Sequence, residues 1–144
     1  MTTIAFKDGL LVADTAVTDN GKYLGQVCKI HKIQNFMLAG AGSLLTLNKF
    51  MEWFRMGADV TKPFDITKEN GFDVICIDLN TKEIWEYNSD ILATKIDQKY
   101  YALGTGTDFA LGAMHAGATA KEAVEIACKI DIYSRKPLTC KLLW

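Results

Sequence analysis

A short turn near the start of the chain is predicted to bring a hydroxyl next to a carboxylate. Asp8-Gly9 lies between two apolar stretches, and this dipeptide is a strong signal for a two-residue hairpin loop. Counting outward from that loop places Thr3 opposite Asp14, with Thr2 one position further along. A hydroxyl becomes a nucleophile when a base accepts its proton or when a nearby cation lowers its pKa.

Lys29 is the candidate for such a cation. It lies within Val27–Ile33, which alternates loosely between apolar and polar residues and predicts a strand. An ammonium held beside a hydroxyl would lower the pKa of that hydroxyl. The alternative, a lysine on an edge strand that faces water, remains open at this point.

Asp131 is a second carboxylate in an unusual position. Its spacing from Val124 and Ala127 continues the apolar stripe of the last predicted helix, at the C-terminal end where the helix dipole disfavours an anion. A buried carboxylate there requires a cation or several hydrogen-bond donors. A carboxylate that turns to solvent at a frayed helix end is the alternative.

Two glycine-rich segments allow different chemistry. Gly40–Gly42 is predicted as a turn between a strand and a helix, where backbone N–H groups could stabilise an oxyanion, although a turn without a ligand gives the same pattern. Gly104–Gly106 begins a dinucleotide-binding pattern that fails at its third glycine, where Phe109 stands. No phosphate-binding loop is present, so nucleotide binding is not expected.

Composition excludes several further classes. Sixteen basic against seventeen acidic residues leave a formal charge of −1, which argues against a nucleic-acid or anionic-membrane surface. His31 and His115 stand in no metal-binding spacing, so we expect no metal and no cofactor. The apolar runs are too short to span a bilayer and no secretion signal opens the chain, which predicts a cytoplasmic protein of one domain, residues 1–144. The four scattered cysteines are expected to be buried thiols.

The order of elements predicts an α+β fold. A hairpin and two strands come first, then a helix capped by Ser43, a second hairpin, a strand from Tyr100, two helices and a terminal strand near Leu138–Leu143. The second of the late helices opens with a capping box at Thr119. Segregated blocks of this kind favour sheets covered by helices over alternating βαβ units. Residues 61–71 are the best linker candidate.

Several fragments, taken in this order, resemble the proteasome β subunit family and within it the bacterial HslV-type peptidases. Each fragment is short, but together they extend over most of the chain. They are Thr2–Ile4, Gly9–Asp14, Val27–Ile30, Leu38–Ser43, Ala102–Gly106 and Asp131–Ser134.

The resemblance implies an N-terminal nucleophile hydrolase, with an αββα sandwich of two antiparallel sheets between helical layers. One helical layer is expected to be reduced, because residues 61–72 are short where the family carries a long helix. Removal of Met1 would make Thr2 the first residue, whose hydroxyl attacks a peptide carbonyl. Its α-amine would be the general base, since such amines have a pKa of about 7.7–8.0.

The resemblance also implies roles for the other candidates. Lys29 would lower the pKa of the nucleophile with Asp14 as its partner, and the N–H of Gly40 would stabilise the oxyanion. A shell around the terminal amine would comprise Thr105 (serine in most relatives), Asp131 and Ser134. By position, the candidates for substrate contact are Thr18, Val27, Leu38 and Gly42.

The resulting expectation is a threonine endopeptidase that acts on peptides or unfolded proteins in a self-compartmentalising homo-oligomer, possibly a ring. An ATP-dependent unfoldase is a partner implied only by the resemblance. Two alternatives stay open: a catalytically silent assembly subunit, and an N-terminal nucleophile amidohydrolase that acts on small molecules.

Overall fold

The computed structural model describes residues 1–66 and 71–144, which form two compact units. The first unit comprises Met1–Ile30 and Gln98–Trp144, and the second comprises His31–Asp97. No helix in the described ranges is long and apolar enough to cross a membrane. The elements are β1 (Thr3–Lys7), β2 (Leu10–Asp14), β3 (Ala16–Asp19), β4 (Lys22–Gln26), β5 (Ile30–Ile33), β6 (Phe36–Gly42), α1 (Leu44–Arg55), β7 (Phe72–Asp78), β8 (Ile84–Tyr87), β9 (Thr94–Ile96), β10 (Tyr100–Gly104), α2 (Thr107–His115), α3 (Ala120–Ile130) and β11 (Leu138–Leu142).

The first unit is built on an antiparallel sheet in the order β10-β1-β2-β11. Its central hairpin turns at Asp8 and Gly9, whose φ angles of 50° and 76° are the left-handed values that a type I′ loop requires. Lys7 pairs with Leu10, and the register continues to Ile4 opposite Ala13. The hairpin and the register predicted from the sequence are therefore confirmed.

Helices α2 and α3 cover this sheet through small side chains. Alanines of β1, β10 and both helices are fully or almost fully buried, so the helices approach the strands closely, and Met114 and Val124 fill the remaining space. The capping box at Thr119 is present with both of its hydrogen bonds, and it starts α3 where the sequence predicts. Helix α3 then ends at Asp131, beside the sheet.

Strands β3 and β4 form a separate two-stranded sheet that the sequence analysis missed. Its loop is Asn20-Gly21, with φ angles of 47° and 76°, and this dipeptide is as strong a hairpin signal as Asp-Gly. The predicted strand over Val27–Ile33 is wrong in its first half, because β5 begins only at Ile30. Lys29 thus lies in an irregular segment and not in an edge strand.

The second unit contains α1 and an antiparallel ladder in the order β5-β6-β7-β8-β9. Ser43 caps α1 as predicted and accepts a hydrogen bond from the N–H of Thr46. The predicted Gly40–Gly42 turn is wrong: these residues are the last three of β6 and pair with β7, so their backbone continues the strand. The β7–β8 hairpin is confirmed, whereas β9 was not predicted.

The sequence spaces Leu44, Leu47, Met51, Phe54 and Ala58 as the apolar stripe of a helix, and this prediction is correct in its centre and wrong at both ends. Leu47, Met51 and Phe54 are buried, but Leu44 is 42% exposed and Ala58 lies beyond the end of the helix. The linker proposed for residues 61–71 includes four residues outside the described ranges. The thiol prediction also needs correction: all four cysteines are free, and only Cys76 is buried, whereas Cys28 and Cys140 are exposed and Cys128 is half-buried. The α+β class with antiparallel sheets is confirmed.

Candidate active site

Asp14 is the centre of a buried cluster at the end of β2. Its side chain is fully buried and accepts four hydrogen bonds. Oδ1 accepts from the N–H of Thr3 at 2.9 Å and from Lys29 Nζ at 2.8 Å. Oδ2 accepts from the N–H groups of Ala16 at 3.1 Å and Arg135 at 3.2 Å. Such a set satisfies the carboxylate and fixes its orientation in the core.

Lys29 is buried beside Asp14, which rules out the alternative of a lysine facing water. Only 6% of the residue is exposed, and Nζ also donates to the carbonyl oxygen of Met1 at 3.1 Å. Burial lowers the pKa of this ammonium, and the adjacent Asp14 carboxylate opposes that shift. The segment before Lys29 is held by a bond from the N–H of Val27 to the carbonyl of Thr15, at 2.8 Å.

Asp131 is the centre of a second cluster, at the C-terminus of α3. It is 8% exposed, so the alternative of a carboxylate in solvent does not hold. Its Oδ2 accepts hydroxyl hydrogen bonds from Thr105 and Ser134, both at 2.6 Å, and its Oδ1 accepts from the N–H of Tyr133 at 3.2 Å. Several donors, rather than a cation, therefore stabilise this carboxylate at the unfavourable end of the helix dipole.

The N-terminal residues lie against both clusters. Thr2 is 5% exposed, and its carbonyl oxygen lies 3.3 Å from Thr105 Oγ1, whose proton goes to Asp131. The Met1 ammonium donates to Thr18 Oγ1 at 2.9 Å, and burial together with the nearby Lys29 lowers the pKa of this amine. Gly104 has a φ of +96°, and a Cβ at that position would overlap the Thr2 carbonyl, so only glycine permits this approach.

Two contacts of this site were not predicted from the sequence. The Thr3 hydroxyl lies 2.6 Å from Ser134 Oγ, and the N–H of Arg135 reaches Asp14 from 121 residues away. The hairpin register had placed Thr3 near Asp14, so the contact between these two residues was predictable from the sequence. The resemblance implied that Ser134 lies in this shell, but no local pattern in the sequence indicated its contact with Thr3 or the bond from Arg135 to Asp14.

The remaining predicted residues lie elsewhere in the chain. Leu38, Gly40 and Gly42 belong to the second unit, and their proximity to Thr2 stays a prediction. Leu38 is fully buried in the core of that unit, so the structure makes it a packing residue and not the wall of an open pocket. A Cβ at Gly40 would overlap Leu47, which explains the glycine by packing alone. Val27 is half-buried, and substrate contact there also stays a prediction.

The structure thus brings six predicted residues of the first unit together, of which Thr105 is exposed and the other five are buried: Thr2, Asp14, Lys29, Thr105, Asp131 and Ser134. Lys29 contacts the carbonyl of the peptide bond that precedes Thr2, which puts a cation beside the bond between Met1 and Thr2. An ammonium in a water-poor site favours any negative charge that develops near it. This arrangement suits a hydroxyl that must act as a nucleophile.

Comparison with solved structures identifies proteins of the same fold. The Thiobacillus denitrificans protein BPH superposes with a TM-score of 0.72 at 20% identity, over 97% of the chain and 95% of BPH. BPH in complex with epoxomicin gives 0.69 at 21% identity, over 97% and 96%. The eukaryotic HslV of Trypanosoma brucei gives 0.69 at 20% identity, over 97% of each chain.

Comparisons of the sequence give a different result. No protein-family model matches the chain, and no curated protein matches it. The likeness is therefore one of backbone structure, at an identity too low to carry residue roles across. The chain has the fold of HslV-type proteasome-like peptidases, and the resemblance that its sequence indicates is confirmed at the level of the fold.

Proposed function

We propose that the protein is a threonine peptidase whose nucleophile is the Thr2 hydroxyl after removal of Met1. The observation that carries the proposal is the buried Lys29–Asp14 pair, in which the ammonium also reaches the Met1 carbonyl at 3.1 Å. Buried ion pairs are costly in free energy, so a pair that touches the N-terminal peptide bond is better explained by chemistry than by stability. The fold shared with HslV and with the epoxomicin-bound BPH supports the same conclusion.

The reaction would proceed through a covalent intermediate. Thr2 Oγ1 attacks the carbonyl carbon of the substrate, and its proton passes through a water to the α-amine of Thr2. The C–N bond then breaks, and the leaving amine takes that proton. A water hydrolyses the resulting ester, returning a proton to Thr2 Oγ1 and releasing the acid.

Each cluster would support one part of this cycle. Lys29, held by Asp14, would stabilise the alkoxide character that develops on Thr2. Thr105, Ser134 and Asp131 would orient the freed α-amine, because Thr105 Oγ1 lies 3.3 Å from the Thr2 carbonyl oxygen and Asp131 accepts from both Thr105 and Ser134. The N–H of Gly40 is the proposed oxyanion donor, a role worth about 2.7–4 kcal/mol in other enzymes. Thr18, Val27 and Gly42 are the proposed contacts to the substrate backbone.

The Gly40 role requires the two units to act as one domain. We propose that residues 1–144 form such a domain, of the αββα sandwich class with a reduced helical layer. On the same grounds we propose a cytoplasmic homo-oligomer that works with an unfoldase. Peptides or unfolded chains would be its substrates.

The direct test is hydrolysis of fluorogenic peptides by the mature wild type and by Thr2→Ala. The nucleophile variant should lose activity by at least about 10⁴-fold and keep its thermal midpoint, since one hydroxyl and one methyl are removed. Thr139→Ala on β11 is the matched control, because the Thr139 hydroxyl makes no hydrogen bond among the described residues. Full activity in Thr2→Ala would contradict the proposal. Hydrolysis of small amides but not of peptides would favour the amidohydrolase alternative.

A further inference from the structure

We propose that Thr3 is a positioning residue that connects the two carboxylate clusters and thereby holds Thr2 between them. The inference rests on the proposed function, and it assigns a role to a residue outside the catalytic set named above. The Asp14 cluster denotes Asp14 with Lys29 and the backbone donors of Ala16 and Arg135. The Asp131 cluster denotes Asp131 with Thr105 and Ser134.

Thr3 is bonded to one cluster through its backbone and to the other through its side chain. Its N–H donates to Asp14 Oδ1 at 2.9 Å, the same oxygen that accepts from Lys29. Its hydroxyl lies 2.6 Å from Ser134 Oγ. The residue is fully buried, so water does not compete for either bond.

The direction of the hydroxyl chain follows from counting protons. An ionised carboxylate only accepts hydrogen bonds, so Ser134 must give its single hydroxyl proton to Asp131 Oδ2, at 2.6 Å. The bond between Thr3 and Ser134 therefore takes its proton from Thr3. Protons point from Thr3 through Ser134 to Asp131, and neighbouring bonds in such a chain strengthen one another.

The segment Gly104–Gly106, which matches no nucleotide-binding motif, leaves room for Thr2 and Thr3. A Cβ at Gly106 would overlap the Thr3 hydroxyl, and a Cβ at Gly104 would overlap the Thr2 carbonyl. The turn between β10 and α2 can therefore close over Thr2 and Thr3 only because both Cβ atoms are absent. A Cβ at Gly106 would also come within 3.0 Å of Thr3 Cβ and 3.1 Å of Ala127 Cβ, so this glycine makes room for the whole Thr3 side chain.

A residue fixed on both sides also fixes the residue before it. The Thr2–Thr3 peptide is planar, so the bonds to Thr3 leave Thr2 few directions in which to move. A displacement of about 1 Å at a reacting group can cost about 10²-fold in rate. Thr3 would thus act on catalysis without touching the substrate.

The experiment compares Thr3→Val, Thr3→Ser and the control Thr139→Val in the mature enzyme, well below each thermal midpoint. Valine keeps the shape of threonine and removes the hydroxyl, whereas serine keeps the hydroxyl and removes the methyl. Thr3→Val should lower kcat by about 10–100-fold with KM changed by less than about twofold. Thr3→Ser should recover kcat to within about threefold of the wild type, and Thr139→Val should match the wild type.

Three results would overturn the inference: an unchanged kcat in Thr3→Val, a Thr3→Ser variant as slow as Thr3→Val, or a change confined to KM. If Thr3→Val does not fold, Gly106→Ala tests the same contact from the other side, with Gly112→Ala on α2 as its control because a Cβ there meets no neighbour. Gly106→Ala should lower kcat, and equal kcat in both alanine variants would contradict the role of Thr3.

A spectroscopic readout separates this inference from the proposed function. In labelled wild-type protein, the Thr3 and Ser134 hydroxyl protons should exchange slowly enough with water to be observed by NMR, whether or not the protein hydrolyses peptides. The Thr3 signal should vanish and the Ser134 signal should shift in Thr3→Val. Fast exchange of both protons would contradict the proposed hydrogen bonds from Thr3 to Ser134 and from Ser134 to Asp131. Slow exchange in a wild type without peptidase activity would sink the proposed function and leave the connection between the clusters standing.

Discussion

The interiors of the two units differ in kind. The second unit is packed around Phe50, whose ring centroid lies 5.2–6.2 Å from those of five other aromatic side chains. These five are Trp53, Phe54, Phe64, Phe72 and Tyr87. The first unit has an apolar core cluster without aromatic side chains among its buried members, and it also buries seven residues with hydroxyls or charges: Thr2, Thr3, Asp14, Thr15, Lys29, Asp131 and Ser134.

The difference indicates which unit is shaped by stability and which by chemistry. Packing between aromatic side chains depends little on their relative orientation, and it stabilises the fold in proportion to the apolar area that is buried. Buried polar groups need directed partners, and they are expensive when a partner is lost. All buried side-chain polar atoms among the described residues of this chain have a partner. A network of buried polar groups costs free energy even when every group has a hydrogen-bond partner, so such a network is where a functional site is expected.

After Thr2→Ala, the largest effect on activity is expected from Lys29→Met. The variant removes the cation beside Thr2 and leaves the Asp14 carboxylate buried without its counter-charge. Activity should fall by about 10³-fold or more, equivalent to about 4 kcal/mol of barrier. The free energy of unfolding should fall by about 3–5 kcal/mol, the usual cost of breaking a buried pair. Peptidase assays and urea unfolding measure the two losses.

Two further variants separate the causes. Lys32→Met is the matched control, because Lys32 is exposed on β5. The double variant Asp14→Asn with Lys29→Met removes both charges, so it should regain part of the stability without regaining activity; recovery is partial because the new amide N–H group faces a backbone N–H that Asp14 accepts from. If the double variant recovered activity, the charge pair would have a structural role only.

Phe50→Ala should have the converse effect in the second unit. Removing a fully buried ring at the centre of the aromatic cluster leaves a cavity, and the free energy of unfolding should fall by about 3–5 kcal/mol. Activity per folded molecule should change little. Asn48→Ala, at an exposed position of the same helix, should be close to neutral. A loss of activity per folded molecule as large as that of Lys29→Met would contradict the division between the two units.

The smallest expected effects are on how the free energy of unfolding depends on pH. The Cys76 thiol and the Lys29 ammonium should contribute to this dependence with opposite signs. Burial raises the pKa of the Cys76 thiol in β7 to about 12, from 9.0. Above pH 9 the unfolded chain therefore binds fewer protons at this thiol than the folded chain, and stability should fall by about 1 kcal/mol between pH 9 and pH 10. Cys76→Ala should remove that fall. Urea midpoints at pH 7, 9 and 10 measure it.

Lys29 should have the opposite effect on the pH dependence of stability. Its folded-state pKa lies below 10.5, so the folded chain releases this proton at a lower pH than the unfolded chain does. Stability from this group therefore rises as pH rises toward 10.5, and Lys29→Met should steepen the loss at high pH. A loss at high pH that is unchanged in both variants would show that neither group governs this range.

Local signals in the sequence were sufficient for most of the elements. Asp8-Gly9, Ser43 and the capping box at Thr119 each specify a backbone geometry within a few residues, and each prediction is confirmed. Asn20-Gly21 carried an equally strong signal that was overlooked. The boundary at Ile30 was missed because the preceding residues leave the strand so that Lys29 can reach Asp14, which is a tertiary effect.

The part of the site that the hairpin register fixes was predictable from the sequence. The pairing around Asp8-Gly9 brought Thr3 to Asp14 by counting alone, and the spacing of Asp131 required donors without naming them. The bonds from Thr3 to Ser134 and from Arg135 to Asp14 span more than 120 residues. No periodicity or turn chemistry encodes such contacts, so only the folded chain reveals them.

The central claim is that Thr2 is an activated N-terminal nucleophile. Its most direct test is the intact mass of the protein after exposure to epoxomicin, beside an untreated sample and the Thr2→Ala variant. The account predicts a wild-type mass without Met1 and with one adduct, and no adduct on Thr2→Ala. A mass that retains Met1 and carries no adduct, or an adduct that persists in Thr2→Ala, would contradict it.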